Sequence, residues 1–223
     1  APYLTLISPR TCVSSLPSPM AKRKPSARIN KIATRVKICV SGAAQGDCIA
    51  MSGAQALEVG RAIAQAGAIL TNGATTGIPL LAAQGAKAAG GITIGFSPAA
   101  TFAEHVKKYR LPLEYNDVIV YTGAGYAARN LLLTRSSDAV IIVCGRIGTL
   151  NEFTIAFEDK KVIGILDGSG GITEEIKHIL RAAKRGKLHI IFDDNPTRLI
   201  RRVLTELRLA GRHPHYPSDD PER

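Results

Sequence analysis

The residues with the clearest chemical potential are an arginine and a glutamate that each follow a glycine-rich segment. Arg129 comes shortly after Gly123-Ala124-Gly125, and Glu152 follows Gly145-Arg146-Ile147-Gly148-Thr149. A guanidinium can hold a phosphate through two parallel hydrogen bonds, or pair with a carboxylate and orient it. A carboxylate in the first turn of a helix is kept ionised by the helix dipole. The two residues therefore predict a charged site beside loops whose N–H groups can hold an anion.

Each of these residues also has a purely structural interpretation. Thr149 and Glu152 have the spacing of a capping box, in which Thr149 caps a helix and Glu152 returns a bond to the cap N–H. Arg129 could lie on a solvated helix face, although its position after a glycine-rich segment favours a functional role. Arg146 could contact phosphate or point to solvent, and its sequence context does not separate the two.

Glycine-rich segments recur after the predicted strands, at residues 41–46, 72–77, 122–125, 144–149 and 167–171. In a parallel sheet, the residues that follow the strands lie at one edge, where helix N-termini offer free N–H groups. Glycine after a single strand is better explained by a turn alone. The recurrence predicts a phosphate-binding rim.

The binding residues that we expect on this rim come from the first, second, third and fourth of these segments. They are Gly42, Ala43, Gly73, Thr76, Gly77, Gly123, Gly125, Gly145, Arg146, Gly148 and Thr149. Arg129 and Glu152 would act beside them.

The elements that must position this rim follow from an alternation of β-branched runs with Ala- and Leu-rich stretches. Strands are predicted over 36–41, 68–71, 92–96, 118–121, 139–143, 162–166 and 189–192. Helices are predicted over 54–66, 78–89, 102–108, 126–136, 150–159, 174–185 and 196–209. Continuous apolar runs such as 139–143 are typical of strands that are buried on both faces. The sequence therefore predicts an α/β fold with a doubly wound, mainly parallel sheet of about seven strands and helices on both faces.

The composition excludes several classes of protein and divides the chain. Of the 223 residues, 45% are hydrophobic, which excludes a protein that is disordered over its whole length. No apolar run approaches the ~20 residues of a membrane-spanning helix, so no membrane partner is expected. The net charge is +11, but eight basic residues and no acid lie in the Pro- and Ser-rich stretch Ala1 to Lys37.

This uneven charge predicts a disordered basic tail over 1–35, one α/β domain over 36–211 and a second tail over 212–223. The first tail superficially matches an organelle transit peptide, but it lacks an amphipathic Arg-rich helix. We favour the interpretation that translation starts at Met20 and that the preceding residues are upstream sequence.

Metal and cofactor motifs find little support in the spacing of the residues. The histidines and cysteines show no CxxC or HExxH pattern, so no metal site is predicted. The cysteines are interpreted as isolated, reduced thiols of a cytoplasmic protein. No Walker A loop is present, and the GxGxxG/A pattern at 123–128 is not followed by an acidic residue at the end of the next strand. We therefore predict no bound cofactor.

The segment that contains Glu152 resembles the Lonely Guy (LOG) superfamily, long described as lysine-decarboxylase-like. Residues 145–152, Gly-Arg-Ile-Gly-Thr-Leu-Asn-Glu, are similar to its PGGxGTxxE loop. Arg129 matches the upstream arginine of that family, and residues 72–79 match its second glycine-rich loop. The similarity extends from about Val36 to Leu209.

This resemblance implies a Rossmann-like fold, a homodimer or higher homo-oligomer, and a small-molecule nucleotide ligand. LOG enzymes hydrolyse the N-glycosidic bond of nucleoside 5′-monophosphates and release free base and ribose 5-phosphate. By the same resemblance, Arg129 and Glu152 would be the catalytic pair. A carboxylate suits this reaction because it can stabilise the positive charge that develops on the sugar, or activate water.

Three positions depart from the LOG pattern. Cys144 replaces a proline, Arg146 replaces the second glycine, and Asn130 replaces the lysine that usually follows the arginine. Such variants are similar to a divergent branch that includes molybdenum cofactor carrier proteins. A non-enzymatic carrier or sensor of a nucleotide or molybdopterin-type cofactor is therefore the first alternative to hydrolysis.

The second alternative is single-stranded nucleic-acid binding, since a DNA-processing branch shares the superfamily. The basic tail supports it, together with the arginines of the last predicted helix, Arg198, Arg201, Arg202 and Arg208. The helix carries no interleaved aromatic residues for base stacking, which argues against nucleic acid as a partner.

Overall fold

The protein is described by a computed structural model that covers residues 35–184 and 189–211. The two predicted tails lie outside these residues, apart from Arg35, and stay predictions.

Within the described residues, seven parallel strands form one sheet in the order β4-β3-β2-β1-β5-β6-β7. The strands are β1 Lys37–Gly42, β2 Ile69–Asn72, β3 Ile92–Ser97, β4 Val118–Tyr121, β5 Ala139–Val143, β6 Val162–Leu166 and β7 Ile190–Asp193. The chain starts at the centre, builds outward to β4, and then returns to place β5 beside β1. The strand order thus reverses between β1 and β5, where α/β sheets form a ligand-binding crevice.

Helices cover both faces of this sheet, as the sequence predicted. They are α1 Cys48–Gln65, α2 Ile78–Ala88, α3 Gly125–Ser136, α4 Ile147–Glu158, α5 Ile172–Ala182 and α6 Pro196–Leu209. Successive strand side chains point to opposite faces. In β1, Ile38 and Val40 therefore pack with α1, α2 and α6, whereas Cys39 packs with α3, α4 and α5. The predicted doubly wound α/β fold is confirmed, and all the pairings described are parallel.

Helix starts show the largest differences from prediction. α1 begins at Cys48 rather than at residue 54, although Ser52 and Gly53 have poor helix propensity. The Ser52 hydroxyl donates to Ser169 O at 2.6 Å, so a tertiary contact offsets that weak propensity. The short helix predicted over 102–108 is a π-helical turn, Glu104–Lys108. None of the described helices has the length and apolar character that a membrane crossing requires.

Two of the cysteines are not isolated. Cys48 and Cys144 form a disulfide across 96 residues of sequence, with their Cα atoms 6.0 Å apart. The interpretation of isolated thiols is therefore wrong for this pair, because the fold brings the start of α1 beside the end of β5. Cys39 is free and buried, and Cys12 lies outside the described residues. The thiol pattern consequently no longer supports a cytoplasmic location, which stays a prediction.

Candidate functional site

A cavity of about 390 Å³ opens at the carboxyl edge of the sheet, where β1, β2 and β5 end. Among the predicted site residues, those that line it are Gly42, Ala43, Gly73, Arg129, Arg146, Gly148, Thr149 and Glu152. The reversal of strand order thus places the glycine-rich segments that follow β1, β2 and β5 around one cavity.

Five of the predicted rim residues lie outside the lining of this cavity: Thr76, Gly77, Gly123, Gly125 and Gly145. Two of them, Thr76 and Gly77, contact the backbone of the segment that follows β1. The Thr76 hydroxyl donates to Ala44 O at 2.9 Å, and a Cβ at Gly77 would come 2.3 Å from Ala43 O. The backbone N–H groups of Gly123 and Gly125 instead donate hydrogen bonds to the loop after β3, at Ala99 O and Pro98 O. The structure therefore does not place them on the cavity.

Gly73 lines the cavity, and the position needs a glycine because any larger residue would displace Arg129. A Cβ at position 73 would lie 1.9 Å from Arg129 Nη1, much closer than two such atoms can approach. The glycine at the end of β2 thus makes room for the guanidinium. This position links the second glycine-rich segment to the predicted charged pair.

Arg129 on α3 and Glu152 on α4 meet at the floor of the cavity. Both are buried, with 5% and 7% of their surfaces exposed. Arg129 Nη1 lies 3.8 Å from Glu152 Oε1, which is a long contact for an ion pair. Arg129 Nε is buried and has no hydrogen-bond partner among the described residues. The guanidinium therefore retains capacity to bind an anion.

Burial shifts the proton equilibria of both members of this pair. Burial raises the pKa of Glu152 above its ordinary value, against the opposing effects of Arg129 and the Ser41 hydroxyl. Burial also lowers the pKa of Arg129, against the effect of Glu152. A carboxyl group with a raised pKa in a cavity is a candidate for general acid–base chemistry.

The structural interpretations of Glu152 and Arg129 are wrong. The N-cap of α4 is Arg146, and no side-chain hydrogen bond caps that helix. The Glu152 carboxylate instead accepts a hydrogen bond from Ser41 Oγ and faces Arg129, so Thr149 and Glu152 do not form a capping box. Arg129 does not lie on a solvated face. Arg146 is exposed and lines the cavity mouth.

Three further residues of the site were not predicted as functional. Ser41 ends the buried part of β1 and donates to Glu152. In the orientation that satisfies its amide, Asn130 Nδ2 donates to Glu152 Oε1 at 3.1 Å. The half-exposed Tyr126 ring lies at the cavity, with the Arg129 guanidinium 5.9 Å from its centroid. A polar residue at the start of a glycine-rich segment was the available signal for Ser41, and a departure from the LOG pattern was the signal for Asn130.

The departure at Cys144 has a backbone explanation. Cys144 has φ 55°, in the left-handed region, whereas proline fixes φ near −65°. The Cys144 N–H also donates to Ser169 Oγ at 2.8 Å, a bond that proline cannot make. This loop conformation therefore excludes proline at position 144.

Two of the arginines of α6, Arg198 and Arg202, are engaged by a carboxylate away from the cavity. Arg198 Nη2 and Arg202 Nη1 lie 2.7 and 2.8 Å from the Asp193 carboxylate at the end of β7. These contacts hold α6 to the sheet, and they lower the capacity of this helix to bind phosphates. Over residues 35–184 and 189–211, no group of three or more His, Cys, Asp or Glu residues is placed to hold a metal ion.

Comparisons with known proteins agree with this architecture. The chain is 34% identical over 131 residues to an uncharacterized protein of Archaeoglobus fulgidus, covering 59% of this chain and 80% of the relative. The Moco carrier protein of Chlamydomonas reinhardtii superposes with a TM-score of 0.65 and 27% identity, over 79% of this chain and 99% of that one.

A more distant solved structure is DNA processing protein A of Helicobacter pylori, described for its single-stranded DNA binding mode. Its TM-score is 0.54 at 20% identity, over 78% of this chain and 82% of that one, which shows the fold alone. Residues 35–200 match the sequence profile of the SLOG cluster4 family, whose wider group unites the SMF/DprA and LOG proteins. Because this match spans most of the chain, the protein belongs to the SLOG cluster4 family.

Proposed function

We propose that the protein binds a nucleoside 5′-monophosphate in this cavity and hydrolyses its N-glycosidic bond to free base and ribose 5-phosphate. The observation that carries the proposal is the buried pair at the cavity floor. Arg129 Nε has no hydrogen-bond partner there among the described residues, and Arg129 Nη1 is 3.8 Å from Glu152 Oε1. A buried guanidinium that is incompletely paired favours an anionic ligand.

The start of α4 supports the phosphate subsite. The first N–H groups of a helix have no partner within it, and no side chain caps them here. Gly148 and Thr149 lie in this first turn and line the cavity, beside the exposed Arg146 at its mouth. A phosphate bound between this turn and Arg129 would meet both N–H donors and positive charge.

Glu152 supplies the carboxylate that the reaction needs. When the bond between sugar C1′ and the base nitrogen breaks, its electron pair leaves with the base and positive charge builds on the sugar. Water adds to C1′ and gives one proton to Glu152, and the departing base nitrogen takes up a proton in turn. Hydrogen bonds from Ser41 and Asn130 orient the carboxylate for this step.

Tyr126 supports recognition of the base. Tyr126 is 51% exposed and lies at the cavity, and its ring contacts that of Tyr109 edge-on, with the centroids 5.6 Å apart. A fixed and exposed aromatic face suits stacking of a flat heteroaromatic ring. The preferred base would therefore be set around Tyr126.

The test is turnover of a panel of nucleoside 5′-monophosphates by wild type and Glu152→Gln, followed by release of free base. Glutamine keeps the size of the side chain but cannot take the proton, so we expect turnover to fall by roughly 10²–10⁴-fold while binding changes little. Glu158→Gln is the matched control, on the exposed face of the same helix, and should retain turnover. Tight binding by wild type without release of base would instead favour a carrier.

A carrier of a molybdopterin-type cofactor is the second candidate. The likeness to the Moco carrier protein, at 27% identity and 79% coverage, favours it. So does Glu152, whose oxygens already face Ser41, Asn130 and Arg129 and are less available to water. The test is retention of pterin fluorescence when the protein and free molybdenum cofactor are passed together through gel filtration, with Arg129→Lys as the variant that should release it.

Nucleic-acid binding is the least supported candidate, because Asp193 occupies Arg198 and Arg202. A homodimer or higher homo-oligomer and a cytoplasmic location belong to the proposal as predictions. Light scattering of the full chain tests the first of these.

A further inference from the structure

The Cys48–Cys144 disulfide joins two segments at the mouth of the cavity. Cys48 is the first residue of α1 and follows the rim segment, residues 44–47. Cys144 directly precedes Gly145 and the first turn of α4. We propose that this pair is a reversible redox site that controls the order of the rim segment and, through it, the affinity of the cavity for its phosphate-bearing ligand. The effect on affinity rests on the proposed function, whereas the effect on rim order does not.

The Cys144 end of this link is firmly held. Cys144 is buried, and its N–H donates to Ser169 Oγ at 2.8 Å. The same hydroxyl donates to Leu166 O at 2.6 Å. The next carbonyl, Gly145 O, accepts from Ile172 N at 3.0 Å. Cys144 is thus an anchor that keeps its position whether or not the sulfur atoms are joined.

The Cys48 end lies in a more exposed segment. Gln45, Gly46 and Asp47 are exposed, and Gln45 lines the cavity. Asp47 occupies the N-cap of α1 without a side-chain hydrogen bond to cap the helix. The segment is attached at Ala44, through Thr76, and again at Ser52, through Ser169. Between these two attachments Cys48 and Ile49 are only partly buried against the core, so the disulfide adds a covalent constraint and its reduction would loosen the start of α1.

The sulfur atoms differ in access, which sets the order of the redox steps. Cys48 is partly exposed at a helix N-terminus, where partial positive charge stabilises an anionic sulfur. Its thiolate would attack a low-molecular-weight disulfide, forming a mixed disulfide and releasing one thiolate. The Cys144 thiolate would then attack Cys48 Sγ, form the internal disulfide and release the second thiolate. The two cysteines lose two electrons and two protons, and the external disulfide becomes two thiols.

Cys39 serves as an internal contrast to this pair. It is fully buried, and burial raises the pKa of its thiol well above the ordinary value, so it should stay reduced. Oxidation should therefore consume two thiols rather than three among the described residues.

Order in the rim segment should favour binding. A rim that is already ordered loses less conformational freedom when the ligand binds, so the oxidised form should bind more tightly. By linkage, the bound ligand should favour the disulfide to the same extent.

The experiment poises the full chain in buffers of reduced and oxidised glutathione, blocks free thiols by alkylation and measures the intact mass. We expect wild type to lose two reactive thiols together as the buffer becomes oxidising, and Cys12→Ser, the matched control, to behave in the same way. In Cys48→Ser and Cys144→Ser the internal disulfide cannot form, so neither variant should lose a pair of thiols. Amide hydrogen exchange over residues 44–50 should be roughly tenfold slower in oxidised than in reduced wild type.

Binding of adenosine 5′-monophosphate to each redox form then tests control of the cavity. We expect the reduced form and Cys48→Ser to bind about fivefold or more weakly than the oxidised form. Equal affinities, equal exchange rates, or an internal disulfide that does not form in any buffer would overturn the inference. If neither form binds any member of the nucleoside monophosphate panel but the exchange rates differ, the redox site stands and the proposed function fails.

Discussion

Two arginine–carboxylate clusters in this protein have the same ingredients and opposite properties. At the cavity, Arg129 lies 3.8 Å from Glu152 and keeps an unpartnered Nε. At the end of β7, Asp193 accepts bonds of 2.9 Å from Arg198 Nε and 2.8 Å from Arg202 Nη1. The first cluster leaves hydrogen-bonding capacity unused, whereas the second uses it within the protein.

The pKa shifts of the two carboxyl groups express this difference. The Arg198 hydrogen bonds, aided by those from Arg202 and Asn195, hold the pKa of Asp193 well below its usual range despite burial. At Glu152 burial outweighs Arg129 and Ser41, so the pKa is raised. A saturated pair stabilises the fold, whereas an unsaturated buried pair is suited to a ligand and to proton transfer.

The largest effect should come from changing the guanidinium of the unsaturated cluster. Arg129→Lys keeps the charge but loses the planar, two-pronged donor, so we expect nucleotide affinity to fall by about 100-fold. Isothermal titration calorimetry with the nucleoside monophosphate panel measures it. Arg202→Lys, in the saturated cluster, is the matched control and should bind normally. Equal losses in the two variants would remove the distinction between the clusters.

A smaller loss is expected when Arg129 is displaced rather than replaced. Gly73→Ala puts a Cβ where Arg129 Nη1 now lies, so the guanidinium must move and affinity should fall by roughly tenfold. Gly148→Ala is the comparison for stability alone, because a Cβ there meets nothing within 4 Å, whereas Gly148 itself lines the proposed phosphate subsite. Thermal unfolding should show Gly148→Ala to be as stable as wild type. Normal affinity in Gly73→Ala would show that the position of Arg129 does not matter.

The saturated cluster should instead respond in stability. Asp193→Asn removes a carboxylate that two arginines and a backbone N–H bind, so the free energy of unfolding at pH 7 should fall by about 1–3 kcal/mol. Because the folded pKa of Asp193 is lowered, this stability is present above the unfolded pKa of about 3.9 and is lost as the pH falls through the folded value. The difference from wild type in urea unfolding should therefore shrink at acid pH.

Asp194→Asn is the matched control for that measurement, since its side chain is 77% exposed. It should lose less than about 1 kcal/mol. A loss as large as that of Asp193→Asn, or one that does not depend on pH, would argue that burial and saturation are not what stabilise the cluster.

The smallest effect should appear in the pH dependence of turnover. If Glu152 takes the proton from water, turnover should rise with pH along a limb that lies above the ordinary range of a glutamate, because its pKa is raised. The Ser41 hydrogen bond lowers the pKa of Glu152 and so opposes the effect of burial. Ser41→Ala should therefore move the limb to higher pH and lower turnover on the limb by roughly two- to fivefold. Movement to lower pH would contradict the role assigned to Glu152.

The fold and half of the site could be predicted from local sequence. The apolar runs 139–143 and 162–166 match β5 and β6 at both ends, because strands buried on both faces must be apolar throughout. Arg129 and Glu152 were identified by their positions after glycine-rich segments. Gly123 and Gly125 have the same kind of context, yet the strand order carries them to the neighbouring loop.

The sequence by itself determined the βαβ alternation, the edge of the sheet at which the cavity opens, and the two charged residues on the cavity floor. Only the tertiary structure decided that Ser41 and Asn130 contact Glu152, that Cys48 reaches Cys144, and that two arginines of α6 are paired with Asp193. The physical reason is distance along the chain. Patterning and turn chemistry act over a few residues, whereas pairing, burial and pKa shifts depend on groups that the sheet brings together from segments far apart.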